Sequence, residues 1–362
     1  MKIVRILLIC LLIASSGVTV FAQEIPGELS DALPPEAEQI LDNLGQSGYD
    51  HNSLTRGMEQ MGRLICEGFL SLFRENVSGA VLLLGVVLLC AMVDDLHHAV
   101  DSDGRNYVVM AGALVITLIA AGNIRSLMEV GAETIEQLGV FSKALLPTLS
   151  AAVAAGGGIA SAGVRQVLTV LFTDVLISAI RGLLLPMVYC YVAVAVANAV
   201  LPEHDLKRLQ KGIGKLATGI LTGLLVVFTA LLTLSGAAGN AADATALRLT
   251  KSAISTAVPV VGSIIADATD SVLASAGVLK SAIGVFGMLG VLAICLTPFL
   301  HLGVQYLLYK LTAFLASTVG SESLVDLIDS LGSAFGLLLG MTGACALLLL
   351  ISVASSVSVV IT

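Results

Sequence analysis

Four prolines in apolar sequence share one spacing. Pro147 and Pro186 are 39 residues apart, and so are Pro259 and Pro298. The second pair follows the first by 112 residues. Two membrane-embedded halves with matched proline-interrupted segments are typical of transporter-like and channel-like folds built from a repeated unit. The spacing therefore predicts an internal repeat of Pro-broken helical units.

The repeat lies in sequence that suits a lipid bilayer. Hydrophobic residues make up 57% of the 362 residues and charged residues only 12%, whereas soluble domains carry about 25% charged residues. Most of the chain must therefore have lipid as its solvent, which predicts an all-α, polytopic helical membrane protein. The net charge of −8 gives no reason to expect nucleic-acid binding.

The N-terminus has the pattern of a secretory signal peptide. Lys2 and Arg5 precede an apolar core of 13 residues, 6–18, which is shorter than the roughly 20 residues of a comfortable span. Val20 and Ala22 then place small residues at −3 and −1, so we expect cleavage after Ala22. An uncleaved membrane anchor is the alternative.

The rest of the chain divides by composition. A short extracytoplasmic helical segment follows the signal peptide, then two spans, the two repeat units with a connector between them, and the end of the last span. The predicted boundaries are 1–22, 23–76, 77–139, 140–236, 237–251, 252–353 and 354–362.

The extracytoplasmic segment contains two helical patterns. Pro35 can start a short helix over residues 36–44 that ends near Gly45. Residues 54–73 have apolar positions at helical spacing with charged residues on the other faces. That helix lies along the membrane, docks a partner, or is an ordinary amphipathic packing helix.

Each repeat unit contains an apolar stretch that is too long for one crossing. Residues 164–201 would form a helix of about 57 Å at 1.5 Å per residue, against a hydrocarbon core of ~30 Å. The stretch either breaks into a hairpin or runs as one helix well outside the bilayer. Whether the repeat is inverted or parallel depends on that choice.

Basic residues indicate the orientation. Connector 202–215 is the most basic loop and should be cytoplasmic by the positive-inside rule. Loop 94–106 should lie on the same side if the signal peptide is cleaved. The basic residues of the connector are Lys207, Arg208, Lys211 and Lys215.

The sequence contains no motif of an enzyme. The run Gly156–Gly158 is not followed by the Lys-Ser/Thr of a phosphate loop, so it indicates a turn or a close helix approach. The Asp and His residues of loop 94–106 have no spacing that fixes a metal geometry, and a solvated loop is the favoured interpretation. We expect no catalytic residue, cofactor or metal site.

Ionisable residues within the apolar stretches are costly and therefore informative. Asp174 and Arg181 lie seven residues apart, on one face of a helix. We expect them and Lys280 to face the protein interior. Such residues line a polar path or the interface between the repeats, or they snorkel or pair structurally. The candidates are Lys143, Pro147, Asp174, Arg181, Pro186, Pro259, Asp267, Asp270, Lys280 and Pro298.

Several strings resemble one family. The sequence is similar to stage III sporulation protein AE of endospore-forming Firmicutes, most strongly over residues 245–312. The similar strings are LLPTLS (145–150), ALRLTK (246–251), VPVVG (258–262), DATDSV (267–272), LKSAIGV (279–285) and YKL (309–311).

The resemblance implies a function in sporulation. Members belong to a mother-cell operon of membrane-associated proteins in the outer forespore membrane. With stage II sporulation protein Q they form a transenvelope complex likened to a channel, a feeding tube or a secretion system. The implied partners are membrane lipid, the other stage III sporulation A-operon proteins and stage II sporulation protein Q. A stand-alone secondary transporter of a small solute and a non-transporting membrane scaffold are the alternatives.

The signal peptide can be tested directly. N-terminal sequencing of the membrane-extracted protein should begin at Gln23, because the apolar core is short and small residues precede the site. Recovery of intact Met1 would contradict both the cleavage and the extracytoplasmic placement of residues 23–76.

Overall fold

The fold consists of long helices. The computed structural model describes residue 29 and residues 31–45, 51–98, 105–201, 206–257 and 262–357, and all regular secondary structure there is helical. The helices are α1 (Pro35–Gly45), α2 (His51–His98), α3 (Arg105–Ala155), α4 (Ile159–Ala179), a π-helical segment (Ile180–Leu184), α5 (Leu185–Val200), α6 (Lys207–Ala257), α7 (Gly262–Ala316) and α8 (Glu322–Val357).

Six of these helical stretches are long and apolar enough to cross a membrane. The prediction of an all-α, polytopic membrane protein is confirmed. The predicted signal peptide lies outside the described residues. The short helix predicted after Pro35 is α1, whose acidic first turn of Glu36 and Glu38 complements the positive end of the helix dipole.

The long apolar stretch of the first unit is one helix. α4, the π-helical segment and α5 form an uninterrupted candidate span of 42 residues, Ile159–Val200, about 63 Å long at 1.5 Å per residue. The hairpin alternative is therefore wrong. Pro186 is the second residue of α5 and lies two residues after the end of the π-helical segment. The wider turn of that segment makes room for a residue that cannot donate a backbone hydrogen bond.

Two other prolines also lie inside helices. The prediction that the chain breaks at Pro147 is wrong, because α3 continues to Ala155, and α7 likewise continues through Pro298. The Thr148 hydroxyl donates to the carbonyls of Ala144 and Leu145 in the turn that Pro147 disturbs. Such side-chain donors, with neighbouring helices, keep proline tolerable in membrane helices. Pro259 lies outside the described residues.

The break between α3 and α4 falls at the glycine run instead. Gly157 has φ of 89°, a left-handed conformation that favours glycine. The amides of Gly156 and Gly158 donate to the carbonyls of Ala152 and Val153 and close the end of α3. The sequence predicted a turn or a close helix approach at this run, and the structure has the turn.

α7 and α8 form the core of the bundle. In the most apolar 18-residue stretch of each helix, 67% of the residues are buried in α7 and 56% in α8, but only 11% in α2. Gly290 and Gly287 of α7 admit Phe141 and Leu145 of α3: a Cβ at Gly290 would lie 2.5 Å from the Phe141 ring. Small residues at helix crossings allow this close approach, which drives association in lipid.

The two ends of the bundle differ in chemistry. Lys207, at the start of α6, forms an ion pair of 3.0 Å with Glu322, at the start of α8. The end of α2 is there too, because Asp94 and Gly320 line one pocket. We call this the basic end, and the opposite end, with Gly156–Gly158, the glycine end. Loop 94–106 and connector 202–215 therefore adjoin the same end, as the predicted orientation requires.

Two helical hairpins run in the same direction. In the first hairpin the continuous helix of α4, the π-helical segment and α5 is followed by α6. In the second hairpin α7 is followed by α8, and the turn of each hairpin lies at the basic end. In the first, Tyr191 packs on Gly214, and in the second Tyr309 packs on Gly332, with each partner 118 residues later. A repeat of this hairpin would be parallel. The predicted boundaries at 140 and 252 lie inside α3 and α6, as does the connector 237–251, so the repeat itself stays a prediction.

The Gly290 contact predicts an effect on stability. Gly290→Ala should lower the melting temperature in detergent by several degrees, since overpacking against Phe141 costs about 1–3 kcal/mol. Gly303→Ala in the same helix is the matched control, because a Cβ there meets no atom within 4 Å. Equal melting temperatures for both variants would contradict the tight α3–α7 crossing.

Candidate functional site

Two ion pairs connect α3 to α4 and to the π-helical segment that continues α4. Lys143 Nζ lies 3.5 Å from Asp174 Oδ1, and the Arg181 guanidinium donates to the Glu136 carboxylate. The two pairs lie seven residues apart along each of the two antiparallel helices, so they form a ladder of two levels. At one level α3 carries the cation, Lys143, and at the other level it carries the anion, Glu136. Asp174 and Arg181 do share a face, as predicted, but each is paired with α3.

These side chains do not face the interior, contrary to the prediction. The exposed fractions are 63% for Lys143, 53% for Asp174, 44% for Arg181 and 61% for Glu136. The 3.6-residue period of the sequence gives a common face, but it does not tell which helix borders that face. Here α3 packs beside it, so the charges pair at the rim of the α3–α4 contact.

The ladder lies at membrane depth. Phe172, half a turn before Asp174, packs against Phe228 with ring centroids 5.4 Å apart. Phe228 lies near the middle of the apolar run 216–235 of α6. The Lys143–Asp174 pair is therefore level with the middle of that run. Half-exposed charges at this depth are costly in lipid, so they require water or another protein surface beside them.

A second polar group occupies the glycine end. Asp243, from α6, accepts hydrogen bonds from the backbone amides of Ala160 at 2.9 Å and Ser161 at 3.0 Å. These are amides of the first turn of α4, which have no partner within their own helix. The carboxylate also complements the positive end of the α4 dipole. Asp243 therefore caps α4 from a different helix.

Two buried cations accompany this cap. Arg165 and Asp243 are each only 4% exposed, and Lys280 is also buried. Arg165 donates to the Ser355 carbonyl of α8 at 2.5 Å. Lys280 lies near enough to Arg165 for their charges to repel, while Asp243 attracts Arg165. We call Arg165, Asp243 and Lys280 the buried charge cluster.

Hydroxyl groups and glycines complete the surroundings of the cluster. The Thr169 and Ser352 hydroxyls share a hydrogen bond of 2.6 Å between α4 and α8. A Cβ at Gly239 would lie 2.8 Å from Ser161 Cα, and one at Gly236 would lie 3.1 Å from Arg165 Nη2. The two glycines let α6 approach α4 closely enough for Asp243 to reach the α4 amides.

The basic end carries a further set of ion pairs. Lys207 contacts Asp326 as well as Glu322. Lys310 donates to Asp329 Oδ1 at 2.7 Å and to Ser333 Oγ at 2.8 Å. The Lys207 contacts join α6 to α8 and so fix the two hairpins to each other, whereas the Lys310 contacts join α7 to α8 within the second hairpin.

The structure thus separates the predicted site residues. Lys143, Asp174 and Arg181 lie on the α3–α4 face, whereas Lys280 lies in the buried charge cluster. Pro147, Pro186 and Pro298 lie within continuous helices, as described above. The side chains of Asp267 and Asp270, and all of Pro259, lie outside the described part of the chain.

Sequence reasoning missed the partners. Asp243 lies in the small-residue run 236–246, which looked like a connector. Arg165 follows the glycine run closely and could have been found as a charge within the apolar stretch 164–201. Glu136 lies in a polar segment whose helix continues into the next apolar run.

The site consists of paired charges and hydroxyl groups. Among the described residues, no three His, Cys, Asp or Glu side chains come together in a way that could hold a metal ion. Together, the six candidate spans and the charges between them define a polytopic helical membrane protein.

The comparisons identify the family. The sequence model of the stage III sporulation protein AE family matches residues 41–360, and the chain belongs to that family. It is 23% identical over 265 residues to Stage III sporulation protein AE of Bacillus subtilis (strain 168). The match covers 72% of this chain and 66% of that relative, slightly under two thirds. No solved structure matches the chain significantly.

The cap predicts that Asp243 is structural. Asp243→Asn keeps the size but removes the charge opposite Arg165, so it should lower stability by about 3 kcal/mol. Thermal unfolding in detergent measures the change. Glu129→Gln is the control, because Glu129 pairs with Arg125 on the exposed surface, where a pair contributes about 0–1 kcal/mol. Equal stability of the two variants would contradict the cap.

Proposed function

We propose that this chain is a membrane subunit of the mother cell–forespore transenvelope complex that supports endospore development. In this proposal it resides in the outer forespore membrane, which derives from the mother cell. Its partners are the other stage III sporulation A-operon proteins and, across the intermembrane space, stage II sporulation protein Q. Membership of the stage III sporulation protein AE family and the six candidate spans support this assignment.

One structural observation carries the choice of a subunit over a stand-alone protein. The 42-residue helix Ile159–Val200 exposes large apolar side chains along its length, among them Ile159, Val167 and Leu183. At about 63 Å it is roughly twice as long as the hydrocarbon core. Lipid tails can cover only about half of this surface. Other protein must cover the rest, as in an assembly.

The orientation fits the proposal. If the basic end is cytoplasmic, as the positive-inside rule predicts, the glycine end faces the space between the two membranes. The buried charge cluster would then lie near the entrance to the bundle from that space. A cleaved signal peptide would put residues 23–76 on the same side, where partners from the forespore are accessible.

The buried charge cluster also favours a second candidate function. Ionisable residues inside a membrane bundle often mark ion or solute pathways, so a secondary transporter for a small solute remains the alternative. In either function, we propose that Lys143, Asp174 and Arg181 line a polar seam at the protein surface.

A sporulating host that encodes this protein provides the test. Deletion of the gene should abolish a late forespore transcription reporter, and the tagged chain should copurify with the other A-operon proteins. Asp174→Leu should reduce the reporter signal severalfold without lowering protein abundance. Copurification with none of these proteins, together with a normal reporter in the deletion strain, would exclude the complex.

A matched double variant separates function from structure. If the Lys143–Asp174 pair were only structural, Asp174→Leu would lower abundance, and the double change Lys143→Leu with Asp174→Leu would restore both abundance and activity. If the charged seam matters, the double variant stays inactive at normal abundance.

A further inference from the structure

The α3–α4 face has a pattern of its own. On α3, exposed residues recur at spacings of four, three and four, and on α4 at three, four and three. This near-heptad spacing is the one with which helices pack side by side. The residues of this face are Glu136, Val140, Lys143 and Pro147 on α3, Leu171, Asp174 and Ser178 on α4, and Arg181 in the π-helical segment that continues α4.

We infer that a second copy of this chain packs on the α3–α4 face, about an axis parallel to the membrane normal. This goes beyond the proposed function and does not depend on it. Two copies in one membrane share their orientation, so an axis along the normal keeps every residue at its own level. In an isologous contact, α3 of one copy then faces α4 of the other.

Charge complementarity supports this occupant. At one level Glu136 would face Arg181 of the second copy, and at the other level Lys143 would face Asp174 of the second copy. Opposite charges meet at both levels because the polarity of the ladder alternates. Each level becomes a closed group of two cations and two anions, paired within and between the copies.

The depth of the ladder supports it as well. The half-exposed Lys143–Asp174 pair is level with the middle of the apolar run of α6, where lipid would leave its charges poorly solvated. A second copy replaces lipid with matching charges. It also covers Val140, which lies between the ion pairs, and Leu171, one turn beyond Asp174; these two side chains are 53% and 51% exposed.

A charge-reversal experiment tests the inference. The reversed variant combines Glu136→Arg, Lys143→Asp, Asp174→Lys and Arg181→Glu, which preserves both ion pairs within one chain. Like charges would meet only between a reversed and a wild-type copy. Full-length proteins carrying donor or acceptor fluorophores are reconstituted in liposomes at low protein-to-lipid ratio, and energy transfer is measured.

We expect equal transfer for the wild-type pair and for the reversed pair, and transfer at least about tenfold lower for the mixed pair, since like charges would face each other at both levels. The control reverses a different cross-helix pair, with Lys207→Glu and Asp326→Lys, and should leave mixed transfer unchanged. Undiminished mixed transfer of the four-residue variant would overturn the inference. So would background transfer in every combination, or loss of transfer in the reversed pair alone.

A second measurement covers a reversed variant that does not fold. Val140→Cys and Ser178→Cys are made in separate chains and mixed in liposomes under oxidising conditions. A disulfide-linked dimer should form above the level that the native cysteines give alone, and Val278→Cys in place of Val140→Cys should give none. Absence of the cross-link from the first mixture would equally overturn the inference.

Discussion

The thickness of the bilayer constrains every other feature of this structure. The hydrocarbon core is ~30 Å thick, whereas the 55 residues of α7 extend to about 82 Å at 1.5 Å per residue. A chain with such helices cannot immerse its whole apolar length in lipid. Among the described residues, 67% of the most apolar part of α7 is buried, where α8, α2 and α3 contact it. Only 28% of the corresponding part of the helix Ile159–Val200 is buried.

Close packing in this bundle depends on glycine residues, which have no side chain to keep neighbouring helices apart. Lipid tails are as apolar as leucine, so helices associate through tight contact and hydrogen bonds more than by exclusion from water. Gly290 admits the Phe141 ring, Gly239 admits the backbone of α4, and Gly332 admits Tyr309. The same contacts decide the polar geometry, because Asp243 reaches the α4 amides only where Gly239 lets the two helices approach.

The sequence predicted features that depend on local chemistry. Pro35 and Gly45 bound α1, and Gly157 lies in the turn between α3 and α4, because each residue restricts or frees its own backbone. The prediction of a break at Pro147 was wrong, because Thr148 and the neighbouring helices support the helix there. The sequence could not give the partners of Asp174 or Asp243, because periodicity defines a face but not the helix that borders it. The prediction of interior positions failed for Asp174 and held for Lys280, whose surroundings are set by distant segments.

The intramembrane charges of this chain fall into two groups, one buried and one half-exposed, and the difference in exposure bears on function. Arg165, Asp243 and Lys280 are buried where α4, α6, α7 and α8 meet. The backbone amides of α4 donate to Asp243, and Arg165 donates to the Ser355 carbonyl. The ion pairs of Lys143 and Arg181 are only half covered, although they lie where uncovered charge is most costly. A charge that stays open at this depth is stable only if the finished structure supplies its remaining solvation. We therefore propose that an assembly completes the exposed ladder, whereas the buried cluster stabilises the fold of the single chain.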